Sequence, residues 1–94
     1  MARIGYASVS SYDQNTSLQV KALKAAGCEV VRQENASGTS IAGRHELAAI
    51  LEFIRAGDVL VVTRIDRLAR SITDLHSIVM QLAAKGAQLK ATEQ

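Results

Sequence analysis

The chain has 94 residues, 48% apolar and 21% charged, with no proline, the make-up of one folded domain; this excludes a second core, a disordered tail or a linker. Its formal charge is only +2 and it holds one cysteine, Cys28, so an internal disulfide and a thiolate zinc site are excluded and a reducing cytosolic compartment is expected. No apolar run nears the roughly 20 residues that cross a bilayer, and neither a membrane span nor a secretory leader is expected.

With one Phe, two Tyr and no Trp, the core must be built from Ile, Leu, Val and Ala. A chain this short buries only about 60 to 65% of its unfolded surface, so a partner interface is expected.

The first apolar run, RIGYASV, predicts a strand over Ala2 to Val9. A helix follows over about Asn15 to Ala26, with Leu18, Ala22, Ala25 and Ala26 as a narrow apolar face. Gly27 then reads as the residue just past a helix end, as do Gly57 and Gly86. Their separations of 30 and 29 residues each fit one strand and one helix. The second strand is placed at Glu29 to Glu34, and NASGTSIAG at 35 to 43 is a polar, Gly-containing connection whose composition suggests a mobile loop.

Between Arg44 and Ala56, Leu47, Ile50, Leu51 and Ile54 recur at helical spacing and define one buried face. The run VLVV makes Val59 to Thr63 a strand apolar on both sides, as a central parallel strand should be. The third helix has Ile72, Leu75, Val79 and Leu82 on its stripe, widened by Ile78 and Ala83, with Ser71 as N-cap and Asp74 three residues on. A last strand is placed at Ala87 to Thr92. The expected fold class is α/β: an open, doubly wound, mainly parallel four-stranded sheet of order 2-1-3-4 with three helices.

Ligands of such sheets bind outside the carboxyl ends of the strands. Those ends are Ser8 to Ser11, Glu34 to Arg44 and Arg64 to Arg70. Seven of the eleven basic residues are arginine, and Arg64, Arg67 and Arg70 recur every third residue. The edge therefore assembles Ser10, Arg44, Arg67 and Arg70, with Asp66, Gln14, Gln19 and Glu34 nearby.

A hydroxyl among guanidinium groups is a phosphate site in outline: the forks match phosphate oxygens and offset charge growing in a pentavalent transition state, while the serine can form a phosphoester. Taken singly, a serine at a strand end is most often a turn or cap residue, and two arginines near a helix start are most often a solvated face. Arginine there opposes the helix dipole unless an anion is close, which favours the phosphate reading. Asp66 could simply pair with an arginine. His45 and His76 lack ligand-like spacing, so no metal is expected, and Cys28 and His76 read as packing or surface residues.

YASVS at 6 to 10 followed by QN at 14 to 15, ASG at 36 to 38, GR at 43 to 44, GDVLVV at 57 to 62 and IDRLARS at 65 to 71 resemble the catalytic domain of the serine recombinases, the resolvases and invertases. The resemblance runs from about Arg3 to Glu93. It implies site-specific recombination of double-stranded DNA without a cofactor, through a 5′-phosphoserine link and a free 3′-hydroxyl, by a dimer that assembles into a tetramer. A bacterial nucleoid or mobile-element setting follows from it. The nucleophile then falls on Ser10 and the phosphate-binding arginines on Arg44, Arg67 and Arg70. Asp66, Gln14, Gln19 and Glu34 match supporting positions, and Tyr6 one beneath the site. Glu34 stands where Asp is frequent, and His45 where Pro is common.

One departure bears on activity. The family pattern reads Y-x-R-V-S, and here the middle residue is Ser8. Ser8 and Ser10, two apart on a strand, are expected to face the same side, so an uncharged residue lies beside the nucleophile. Losing one charge-assisted contact to a developing oxyanion costs on the order of 10²- to 10³-fold in rate, and severe impairment of cleavage is expected. Residues 1 to 94 are read as the catalytic domain, without the family's long dimerisation helix and DNA-binding region. An alternative from another class is a non-catalytic recombinase remnant acting as an interaction module. A flavodoxin-like phosphoacceptor is disfavoured because the first strand ends in serines where acidic residues are needed, and a nucleotide-binding domain because no G-x-G-x-x-G or Walker-type loop follows.

Overall fold

The computed structural model describes residues 2–9, 17–35, 45–69 and 71–93. Its elements run β1 (Arg3–Val9), α1 (Ser17–Ala25), β2 (Val30–Asn35), α2 (His45–Phe53), β3 (Val59–Val62), a 3₁₀ turn (Ile65–Arg67), α3 (Ile72–Ala84) and β4 (Gln88–Ala91). All three strand pairings are parallel, and the sheet order is β2-β1-β3-β4, the order expected from the sequence. Gly27, Gly57 and Gly86 have φ of 92°, 87° and 76°; Gly27 and Gly86 lie just past α1 and α3 as expected, whereas α2 ends at Phe53 and Gly57 sits in a separate turn closed by Asp58 N–H on Arg55 O at 3.0 Å.

Side-chain alternation sorts the sheet into two layers. Ile4, Tyr6, Leu60 and Val62 face α2 and α3, where they pack with Leu47, Ile50, Leu51, Ile54, Ile78 and Leu82. Ala7 and Val61 face α1 and meet Leu23, with Val20, Ala26, Cys28 and Val31 around them. VLVV thus supplies both layers, as its unbroken apolar run predicts. Ser71 caps α3 by accepting the Asp74 amide at 3.0 Å.

Two helix faces differ from expectation. Leu18 is 72% exposed, and α1 buries Gln19 and Leu23 in place of the Leu18 face. A polar side chain holds the inward position because it satisfies backbone groups at the end of β1, which turns the helix one residue away from Leu18. In α3, Leu75, Ile78 and Leu82 pack inward, while Ile72 is 86% exposed and Val79 also lies outside. Apolar residues occupy so much of that helix that periodicity alone could not choose the packed stripe.

Element ends shift by a residue or more. Ala2, Glu29, Thr63, Ala87 and Thr92 fall outside the strands, although Thr92 N–H still donates to Val62 O at 2.9 Å. The second helix, expected as far as Ala56, ends at Phe53. The first begins at Ser17, and the expected start at Asn15 lies outside the described residues. Among the described residues, no helix is long and apolar enough to cross a membrane.

Candidate active site at the carboxyl edge of the sheet

Backbone alternation determines which groups at this edge need partners. Val59 N–H donates to Ala2 O at 2.8 Å and Glu29 N–H to Arg3 O at 3.0 Å, so even-numbered positions of β1 turn toward β3 and odd-numbered ones toward β2. The pairing of β1 with β3 runs only from Arg3 to Gly5. Ser8 therefore lies past the end of that ladder. Gln19 takes the place of the absent strand: its Oε1 accepts from Ser8 N–H at 3.3 Å, and its Nε2 donates to Ser8 O at 2.8 Å. Both residues are buried, Ser8 at 7% exposure.

On the other side of β1, Ser8 pairs in register with Glu34 and Tyr6 with Arg32. Tyr6 is buried, and its hydroxyl donates to Glu34 Oε2 at 2.7 Å. The same carboxylate accepts the amides that open α2, Glu46 N–H on Oε1 at 3.1 Å and Leu47 N–H on Oε2 at 3.2 Å. A carboxylate is well suited to this place, because the first N–H groups of a helix lack intrahelical partners and carry the positive end of its dipole. Arg32 strengthens the junction, with Nη1 3.0 Å from Glu46 Oε1 and its guanidinium 5.5 Å from the centre of the Phe53 ring. Sequence reasoning did not single out Arg32 or Glu46; an acidic residue in the first turn of α2 was the available signal.

The 3₁₀ turn that follows β3 packs against β1 and carries Asp66 and the backbone of Arg67 to the same edge. Asp66 pairs with Arg64, Nη2 to Oδ2 at 3.0 Å, and both are exposed. Of the expected site residues, Tyr6, Ser8, Gln19, Glu34 and Asp66 thus lie along one end of the sheet. Ser10, Gln14, Arg44 and Arg70, and the side chain of Arg67, lie outside the described residues. Cys28 packs under α1, and burial raises its thiol pKa against a smaller opposing pull from Arg3.

Comparison with known proteins agrees with this architecture. The family described as "Resolvase, N terminal domain" matches residues 3–94. The integrase-like protein y4lS of Sinorhizobium fredii is 60% identical over 94 residues, all of this chain and 51% of that protein. The DNA-invertase hin of Salmonella typhimurium is 42% identical over 87 residues, 93% of this chain and 45% of the relative. The serine recombinase gin of Escherichia phage Mu is 43% identical over 88 residues, 94% and 45% of the two chains. The chain spans about half the length of these curated relatives. With nearly every residue inside the family match, and with the sheet order and edge chemistry described above, the chain belongs to the serine recombinase family, as a resolvase N-terminal domain.

Proposed function

We propose that this chain is the catalytic domain of a site-specific DNA recombinase in which Ser10 is the nucleophile and Ser8 weakens cleavage. The Ser10 hydroxyl oxygen bonds to the scissile phosphorus while the bond to the 3′ oxygen breaks. The serine proton passes to solvent, and the leaving 3′ oxygen takes up a proton. The product is a 5′-phosphoserine link and a 3′-hydroxyl, and attack by a 3′-hydroxyl on that link reverses the step. Bond energy is kept in the phosphoserine, so no cofactor is needed. Arg44, Arg67 and Arg70 hold the phosphate and offset its growing charge.

The observation that carries this reading is the junction of Tyr6 and Glu34, which ties β1, β2 and the start of α2 into one edge. Ser10 follows Ser8 by two residues, Arg44 immediately precedes α2, and Arg67 ends the turn that packs on β1. Double-stranded DNA is the substrate, and a dimer that pairs into a tetramer is the working assembly.

A second reading, a non-catalytic remnant that pairs with intact subunits, is favoured by Ser8 standing where the family pattern has arginine. The two separate in one experiment. The chain, its Ser8→Arg variant and a Ser8→Arg/Ser10→Ala control are each joined to the carboxyl-terminal half of a related DNA invertase and incubated with that invertase's site DNA. A covalent adduct with Ser8→Arg, absent in the control, supports catalysis. No adduct with Ser8→Arg favours the remnant.

A further inference from the structure

Glu34 lies one residue before the last position of β2, and the amides it holds belong to the second and third residues of α2. One carboxylate therefore spans both ends of the connection 36–44. Its third partner, the Tyr6 hydroxyl, comes from the strand that leads to Ser10. Arg32 bonds to Glu46 beside it, so two bridges join β2 to the first turn of α2.

We infer that Glu34 is a positioning residue for Arg44, acting by fixing the first turn of α2 against β1 and β2. The inference rests on the phosphate-binding role proposed for Arg44. Arg44 is joined directly to His45, the first residue of α2. Movement of that turn moves the point at which Arg44 joins the helix. Three donors converge on Glu34, one from each neighbouring element and one more from α2, whereas most helix caps serve the helix alone. A carboxylate can accept all three at once. A glutamine offers one acceptor oxygen and must turn its amide nitrogen toward one of them.

The test uses the full 94-residue chain. Glu34→Gln, Glu34→Ala, Arg44→Ala and the Glu34→Ala/Arg44→Ala double variant are compared with the parent by amide hydrogen exchange and by affinity for a short DNA duplex at low salt. Exchange at the Glu46 and Leu47 amides should quicken about tenfold in Glu34→Ala, with a smaller change in Glu34→Gln. Affinity should fall in Glu34→Ala nearly as far as in Arg44→Ala, recover in part in Glu34→Gln, and fall no further in the double variant. Additive losses overturn the inference. So does unchanged affinity in Glu34→Ala and Glu34→Gln beside a loss in Arg44→Ala, which leaves the phosphate reading standing. Unchanged affinity in Arg44→Ala removes the phosphate role of Arg44 and the inference with it.

Discussion

Gln19 pairs with the backbone of Ser8 as a neighbouring strand would, accepting its N–H and donating to its carbonyl. The relationship explains how β1 continues buried beyond the last residue that β3 pairs with. It also explains why a glutamine, and not Leu18, holds the inward place on α1.

Gln19→Ala removes both of these partners from buried backbone groups. It should destabilise the fold by about 1–3 kcal/mol, the usual cost of leaving such groups unsatisfied. Urea unfolding measures this as a lower midpoint at unchanged slope. Gln19→Leu should not recover the loss, although it restores apolar area.

Gly86 and Gly27 both have positive φ, but a side chain would meet different neighbours at each. At Gly86 a Cβ would sit 3.1 Å from Ala56 Cβ and 3.3 Å from its Cα, atoms fixed to the backbone. At Gly27 the nearest atom is the Arg3 guanidinium, at 3.3 Å and on a flexible stem. Gly27→Ala should cost about 1–2 kcal/mol for its left-handed backbone alone. Gly86→Ala should cost more, by thermal or urea unfolding.

Asp58 ties Ala2 to the turn before β3 at the opposite edge of the sheet. Its carboxylate accepts the Ala2 amide at 3.1 Å and the Arg55 amide at 3.0 Å, and these bonds, the Ala2 one foremost, hold its pKa below the ordinary 3.8. A pKa lowered on folding means that the native state favours the charged form. The stabilisation is therefore complete above the unfolded pKa and is lost as pH falls below 3.8 through the native value. Asp58→Asn should be less stable than the parent at neutral pH, with the gap narrowing in acid. A constant gap from neutral pH to pH 2 would contradict this.

The architecture was legible in the chain because punctuation and period agree there: Gly27 and Gly86 end α1 and α3, Gly57 turns the chain into β3, and VLVV, packed on both sides, reads as a central strand. Helix faces were less legible. The inward turn of Gln19 depends on Ser8 lying beyond the reach of β3, a relation between segments that no local pattern contains. At the site, residue types and family motifs named Tyr6, Gln19 and Glu34, but not that one carboxylate joins β1 to α2. Arg32 and Glu46 are not legible there, because each alone reads as a surface charge.

The proposed DNA phosphate pocket at this edge has its defect at Ser8. A low-salt NMR titration of the chain and its Ser8→Arg variant with a short duplex tests it most directly, since phosphate binding weakens steeply with salt. Amide and arginine side-chain shifts should cluster at Ser10, Arg44, Arg67 and Arg70, with tighter binding in the variant that weakens as salt is added. No shifts at those residues in either protein would contradict it.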